Sequence, residues 1–186
     1  LAIGIGGFPT FLQYQSAQEL RNTSNRSAQT VAGWPYPQAD ETFAAAKAYN
    51  RRLAASGQPV LGEAQDPFSQ VQGGSQSSES GAAESNSASA KDKEYQSLLD
   101  SGSGVMGTIR IPKISVRLPI YHGTSQSALA SGAGHLYGSS LPVGGRSTHA
   151  VITGHRGLVE AMMFTRLDEM RVGDYFYIEV MGDRKS

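Results

Sequence analysis

Between Val71 and Ala90 the chain reads VQGGSQSSESGAAESNSASA, with Val71 as its only bulky apolar residue. Such a stretch cannot bury enough apolar surface to offset the entropy of ordering itself, which predicts a flexible tether. Whatever folds must therefore lie before it or after it. The whole sequence has 186 residues, enough for one ordinary domain with extra segments. Sixteen basic and sixteen acidic side chains cancel, with no basic stripe, which argues against nucleic-acid binding as a primary role. There is no cysteine, so disulfides and thiolate metal sites are excluded within this sequence.

Ahead of the tether, residues 1–12 form an apolar run, LAIGIGGFPTFL, too short to span a bilayer, which takes about 20 residues. Its Gly-rich apolar character suggests the outer end of a membrane anchor, against the alternatives of a signal-peptide tail and an ordinary amphipathic start to a domain. Residues 13–62 read as a helical arm. Phe11 to Ala32 is polar and helix-compatible, with Tyr14, Leu20 and Val31 as sparse apolar points, and Trp34-Pro35-Tyr36-Pro37 breaks it. Asp40 is the expected N-cap of a second helix, stopped by Gly57 and Pro59, with Phe43, Ala46, Asn50, Leu53 and Ala54 on one face. Residues 63–90 then hold a loop with Asp66-Pro67-Phe68, followed by the tether. Local chemistry reads that triplet as a turn, or as a site where Phe68 is buried against something.

After the tether, residues 91–186 change character. KEYQSLLDSG predicts a short helix ended by Gly102 and Gly104. Met106 to Ile111 alternates as a strand, Pro112-Lys113 turns, and Val116 to Tyr121 is a second strand whose Pro119 calls for an edge or a bulge. A Gly- and Ala-rich connection carries a helical turn. His149 to Thr153 is an apolar strand ending on Gly154-His155-Arg156-Gly157. Leu158 to Leu167 predicts a helix, Asp168 to Gly173 a turn, and Tyr175 to Val180 a last strand. Short strands with small helices argue for a mainly β barrel or sandwich with a helical N-terminal arm.

Four histidines are the candidates for chemistry. Their spacing matches no helical zinc pair and no carboxylate falls in register, so no metal site is expected. His149 reads as structural, His122 as an exposed loop residue, and His135 as part of a groove wall. His155 stands at a strand end between two glycines, where an imidazole is held firmly yet open to a ligand. Its two readings are an exposed turn residue and a proton-transfer group. No G-x-S-x-G elbow supplies a serine nucleophile, and no phosphate-binding GxGxxG precedes a helix. Residue chemistry alone leaves a mostly β domain with a poised histidine.

The order GTIRIPKISVRLPIYHGT, GAGHLYGSSLPVGGRSTHAVITGHRGL, FTRLDEMRVGDYFYIEV resembles the sortase family over roughly residues 104–180. The SSLPVGG…TH…GHRGL run is the specific part. The upstream DPF triplet after a helical arm further resembles class C, the pilin-polymerising branch. The resemblance implies membrane-anchored cysteine transpeptidases on a β-barrel outside the membrane of Gram-positive bacteria. They need no cofactor, cleave an LPXTG-like sorting signal between Thr and Gly through a thioacyl enzyme, and in class C pass the acyl group to a lysine of the next pilin. His155 matches the family's catalytic histidine. Asp66, Pro67 and Phe68 match a lid over the active site, the acid facing a catalytic arginine and the ring covering the cysteine.

The family's cysteine and arginine lie on strands after the histidine, and no residue of this sequence matches either. Arg156 does not take the arginine's place. The resemblance therefore implies a barrel incomplete at its C-terminus and a chain that is inactive alone. The alternative is a non-catalytic sortase-like surface or binding module; a third reading, a histidine-rich zinc domain, predicts metal uptake.

Overall fold

The computed structural model describes residues 7–34, 38–57, 88–102, 104–156, 163–181 and 183–185. Two long helices come first, α1 (Gly7–Ala32) and α2 (Gln38–Ala55), then the short α3 (Lys93–Ser97). The strands are β1 (Val105–Ile111), β2 (Val116–His122), β3 (Ala133–His135), β4 (Ile152–Gly154), β5 (Tyr177–Val180) and β6 (Asp183–Lys185), with α4 (Gln126–Ser131) between β2 and β3. They form one sheet in the order β4-β3-β2-β1-β5-β6, open among the described residues. All neighbours are antiparallel except β2 and β3, and the α4 crossover is what a parallel pair requires.

Register decides the faces. Ile109 pairs with both Leu118 and Ile178, Ile111 with Val116, and His135 with Ile152, so these side chains share one surface. The opposite surface carries Thr108, Pro119 and Arg117 and is crossed by α1, whose contacts run mainly to β2 and β1. Alternation along β1 thus serves two layers at once. On the polar α1, Leu20 and Val31 meet the body of the protein, as the sparse apolar points predict, while Tyr14 stays exposed. The main core joins Tyr95, Leu98 and Leu99 from the α3 region to Ile109, Leu118 and Ile120, with Ala46 of α2 fully buried against them.

Local signals account for several boundaries. Asp92 caps α3 by accepting the Tyr95 N–H at 2.9 Å, and Ser125 caps α4 by accepting from Ala128 at 3.2 Å. Pro112–Ile114 forms a 3₁₀ turn, closed by Ser115 in the left-handed region. Asp40 is not the cap of α2. The helix starts at Gln38, leaving Asp40 and Glu41 in its first turn, where the helix dipole favours acids.

Other expectations are corrected. Pro119 is on neither an edge strand nor the bulged strand: β2 runs between β1 and β3, and the extra residue lies on β1 between Val105 and Gly107. The proline is tolerated because the β2–β3 ladder begins only at Ile120, so its missing N–H breaks no bond there. The predicted helix after His155 is absent from its described part. Residues 163–166 are turns, and Leu167–Glu169 is a 3₁₀ turn. The tether is shorter than its composition suggests, since residues 88–91 form a helical turn with Ser89 buried. The rest of the tether, and Asp66, Pro67 and Phe68, lie outside the described residues.

Candidate active site

His155 follows directly on β4, at the end of the sheet order, and its side chain is half-buried. Two features fix it. A Cβ on Gly154 would lie 2.7 and 2.8 Å from ring carbons Cε2 and Cδ2 of Phe164, so the glycine lets a buried ring pack close against the strand. The Phe164 N–H also donates to the His155 carbonyl at 3.1 Å. The glycine before the histidine is thus explained by close approach of a ring rather than by a special turn.

Beside this strand end lies an apolar groove of about 440 Å³, formed largely by Ile109, Ile111, Ile152, Phe164 and Ile178, with Gly154 in its wall and Arg156 beside it. His155 stands between those two residues. Arg156 is exposed and pairs with Asp168 at 3.4 Å, both side chains being about three-fifths in solvent (62 and 64%). Such a pair contributes little. Arg156 belongs to the surface.

The other histidines fall in different places from those expected. His122 is buried rather than exposed; its Nδ1 and Nε2 lie 3.1 and 2.7 Å from the carbonyls of Gly104 and Leu98. His135 lines no groove. It is fully buried, with Nε2 donating to the Ser140 carbonyl at 2.9 Å, which leaves Nδ1 to accept the Tyr95 hydroxyl at 2.9 Å. Burial pushes His135 down to about 4, opposed by its bond to the Ser140 carbonyl, with the nearby His122 adding to the fall. Tyr95 also accepts the Gly123 N–H at 2.9 Å, and desolvation raises its phenol well above the usual value. His149 is exposed. Only its backbone is structural, exchanging bonds with Ser140. No group of residues able to hold a metal occurs among those described.

The sequence reading missed the partner of a buried amide. Asn50, placed on the apolar face of α2, donates through Nδ2 to the Leu141 carbonyl at 2.9 Å and accepts the Leu141 N–H through Oδ1 at 2.7 Å. The available signal was a polar amide in an apolar stripe, which requires buried partners.

A family model described as "Sortase domain" matches residues 109–186. Among solved structures, sortase C of Streptococcus pneumoniae is 32% identical with a TM-score of 0.68, over 88% of this chain and 70% of that one. A lid mutant of Streptococcus agalactiae sortase C1 is 32% identical with a TM-score of 0.62, over 87% and 70%. Sortase C-1 of Actinomyces oris is 37% identical with a TM-score of 0.58, over 78% and 70%. No curated protein matches. The matched motif delivers His155, the sheet and helical arm superpose on class C structures at identities above 30%, and this chain belongs to the sortase family, in its class C branch.

Proposed function

We propose that this chain presents the histidine side of a class C sortase active site, with His155 as the acid/base of a cysteine transpeptidase. The observation that carries the reading is the placement of His155: half-buried, tied through Phe164, and at the end of a strand that walls an apolar groove. In the reaction, a thiolate attacks the Thr carbonyl carbon of an LPXTG-like signal, and the Thr–Gly C–N bond breaks. The leaving glycine amine takes its proton from the imidazolium. A lysine amine of a second pilin then attacks the thioacyl carbon, gives its proton to the imidazole, and releases the thiolate. The pneumococcal relative is described in terms of pilin substrate specificity, which supports pilins as the partners.

The sequence holds no cysteine, so the chain as given supplies no thiol for this step and is inactive by itself. Asp66, Pro67 and Phe68 are the proposed lid, supported by the lid of the Streptococcus agalactiae enzyme. The proposed organisation is an anchor end at residues 1–12, the arm at 13–62, lid and tether at 63–90, and barrel from 91 onward. This places the protein on the outer face of a Gram-positive cell membrane. No helix among the described residues is long and apolar enough to cross a membrane, so the anchor rests on the apolar character of residues 1–12 and on the resemblance. The absence of cysteine equally favours a second reading, a non-catalytic surface or binding module.

The test incubates a fluorogenic LPXTG peptide and a lysine donor with this chain, and with a version extended by the strands that carry cysteine and arginine in the family. Turnover only by the extended protein is expected. Turnover by the 186-residue chain contradicts the reading, and inactivity of both favours the binding module.

A further inference from the structure

The arm does more than pack on the sheet. Asn50 is only 4% exposed and Leu141 fully buried, and the two exchange a pair of hydrogen bonds although 91 residues apart in sequence. From Leu141 the next residues zip onto the histidine strand. The Ser140 N–H donates to the His149 carbonyl at 2.9 Å, while the Ser140 hydroxyl accepts the His149 N–H at 3.2 Å. The Ser139 hydroxyl accepts the Val151 N–H at 3.2 Å, and the Leu136 N–H donates to the Val151 carbonyl at 2.9 Å. The β3–β4 ladder takes over from His135–Ile152 to Ala133–Gly154, and His155 follows.

This zipper has a weakness. β4 has only three residues, all half-buried, and the stretch before it is held by alternate backbone and serine bonds. A one-residue slip would turn every side chain to the other face and move the histidine with it. Register in so short a strand needs an anchor outside the ladder. At the far end from His155, Asn50 supplies one: a planar amide that both donates and accepts fixes Leu141 in rotation as well as distance. The backing is rigid, because Ala46, one helical turn earlier on α2, is fully buried in the core.

We propose that Asn50 is a positioning residue for His155, fixing the register of residues 149–154 from the helical arm through Leu141. The inference rests on His155 as the working histidine, but its test needs no turnover. Chain labelled with ¹⁵N at histidine is compared as wild type, Asn50→Ala, and Asn50→Asp, which keeps the volume and the acceptor but cannot donate. A Ser27→Ala variant is the control, since it breaks a different hydrogen bond from the arm to the body, Ser27 to Ser101, on α1. Backbone amide exchange is followed in parallel.

Both Asn50 variants should move or split the His155 ring signals and speed exchange at Ser140, His149 and Val151 by about tenfold or more. Ile109 and Leu118 in the β1–β2 ladder should be unchanged. Ser27→Ala should leave the His155 signals alone. An unmoved His155 ring in both variants overturns the proposal, as does uniform acceleration across all strands, which would make Asn50 a global stabiliser. Failure of His155→Ala to affect turnover in the extended enzyme would strike the catalytic reading and leave these spectra as they are.

Discussion

Replacing Gly154 with alanine tests whether the strand that delivers His155 is shaped by Phe164. The added methyl carbon would lie 2.7 Å from Cε2 and 2.8 Å from Cδ2 of a ring that is only 6% exposed. A ring has no flexible end to swing aside, and β4 is held by its ladder to β3, so the strand or the ring must shift. Overpacking of this kind costs about 1–3 kcal/mol. For a chain of this size that is a fall of about 2–12 °C in Tm, at roughly 2–4 °C per kcal/mol. The assay is urea unfolding of wild type, Gly154→Ala, Phe164→Leu and the double variant. Leucine lacks the offending ring carbons, so the glycine change should become nearly neutral in that background, with a coupling of about 1–3 kcal/mol. Strictly additive costs would refute the steric account. A Gly154→Ala chain as stable as wild type would do so too.

Other consequences are open to measurement. Below its ordinary value of 6.5, an unfolded His135 takes up a proton that the native residue refuses until about pH 4, so native stability falls as pH drops through that window. The full loss is about 3 kcal/mol, readable as urea midpoints at several pH values, and His135→Gln should flatten the curve. Tyr95→Phe removes the hydroxyl shared by His135 and Gly123 and should cost about 1–3 kcal/mol by urea unfolding, with both partners left buried. Arg156→Ala breaks only an exposed pair and should change stability by less than about 0.5 kcal/mol in the same assay.

What the sequence made legible follows a physical divide. Period-two alternation in β1 and β2, the breaker at Trp34-Pro35, and the Gly154-His155 strand end are local signals, and each matches an element boundary to within a few residues. The placements of His122 and His135 went wrong for a different reason. Three of their partners are backbone carbonyls, of Leu98, Gly104 and Ser140, which leave no trace in residue identity, and Tyr95, which bonds His135, lies 40 residues away in sequence. Pro119 misled because proline rules concern the ladder on each side of a strand, and the short β3 ladder starts just past it. Asn50 shows the same limit from the other direction. Its spacing placed it on the buried face, but the peptide group it binds lies 91 residues away.

The histidine itself was read from a motif rather than from a geometry, and its role is where the account is most exposed. The measurement that tests it most directly is thioacyl-enzyme formation with an LPXTG peptide, followed by mass spectrometry on the extended enzyme with and without His155→Ala. Members of a catalytic unit act together, so the variant should form the intermediate several orders of magnitude more slowly while unfolding at a similar urea concentration. Intermediate formation at a near wild-type rate would contradict the account.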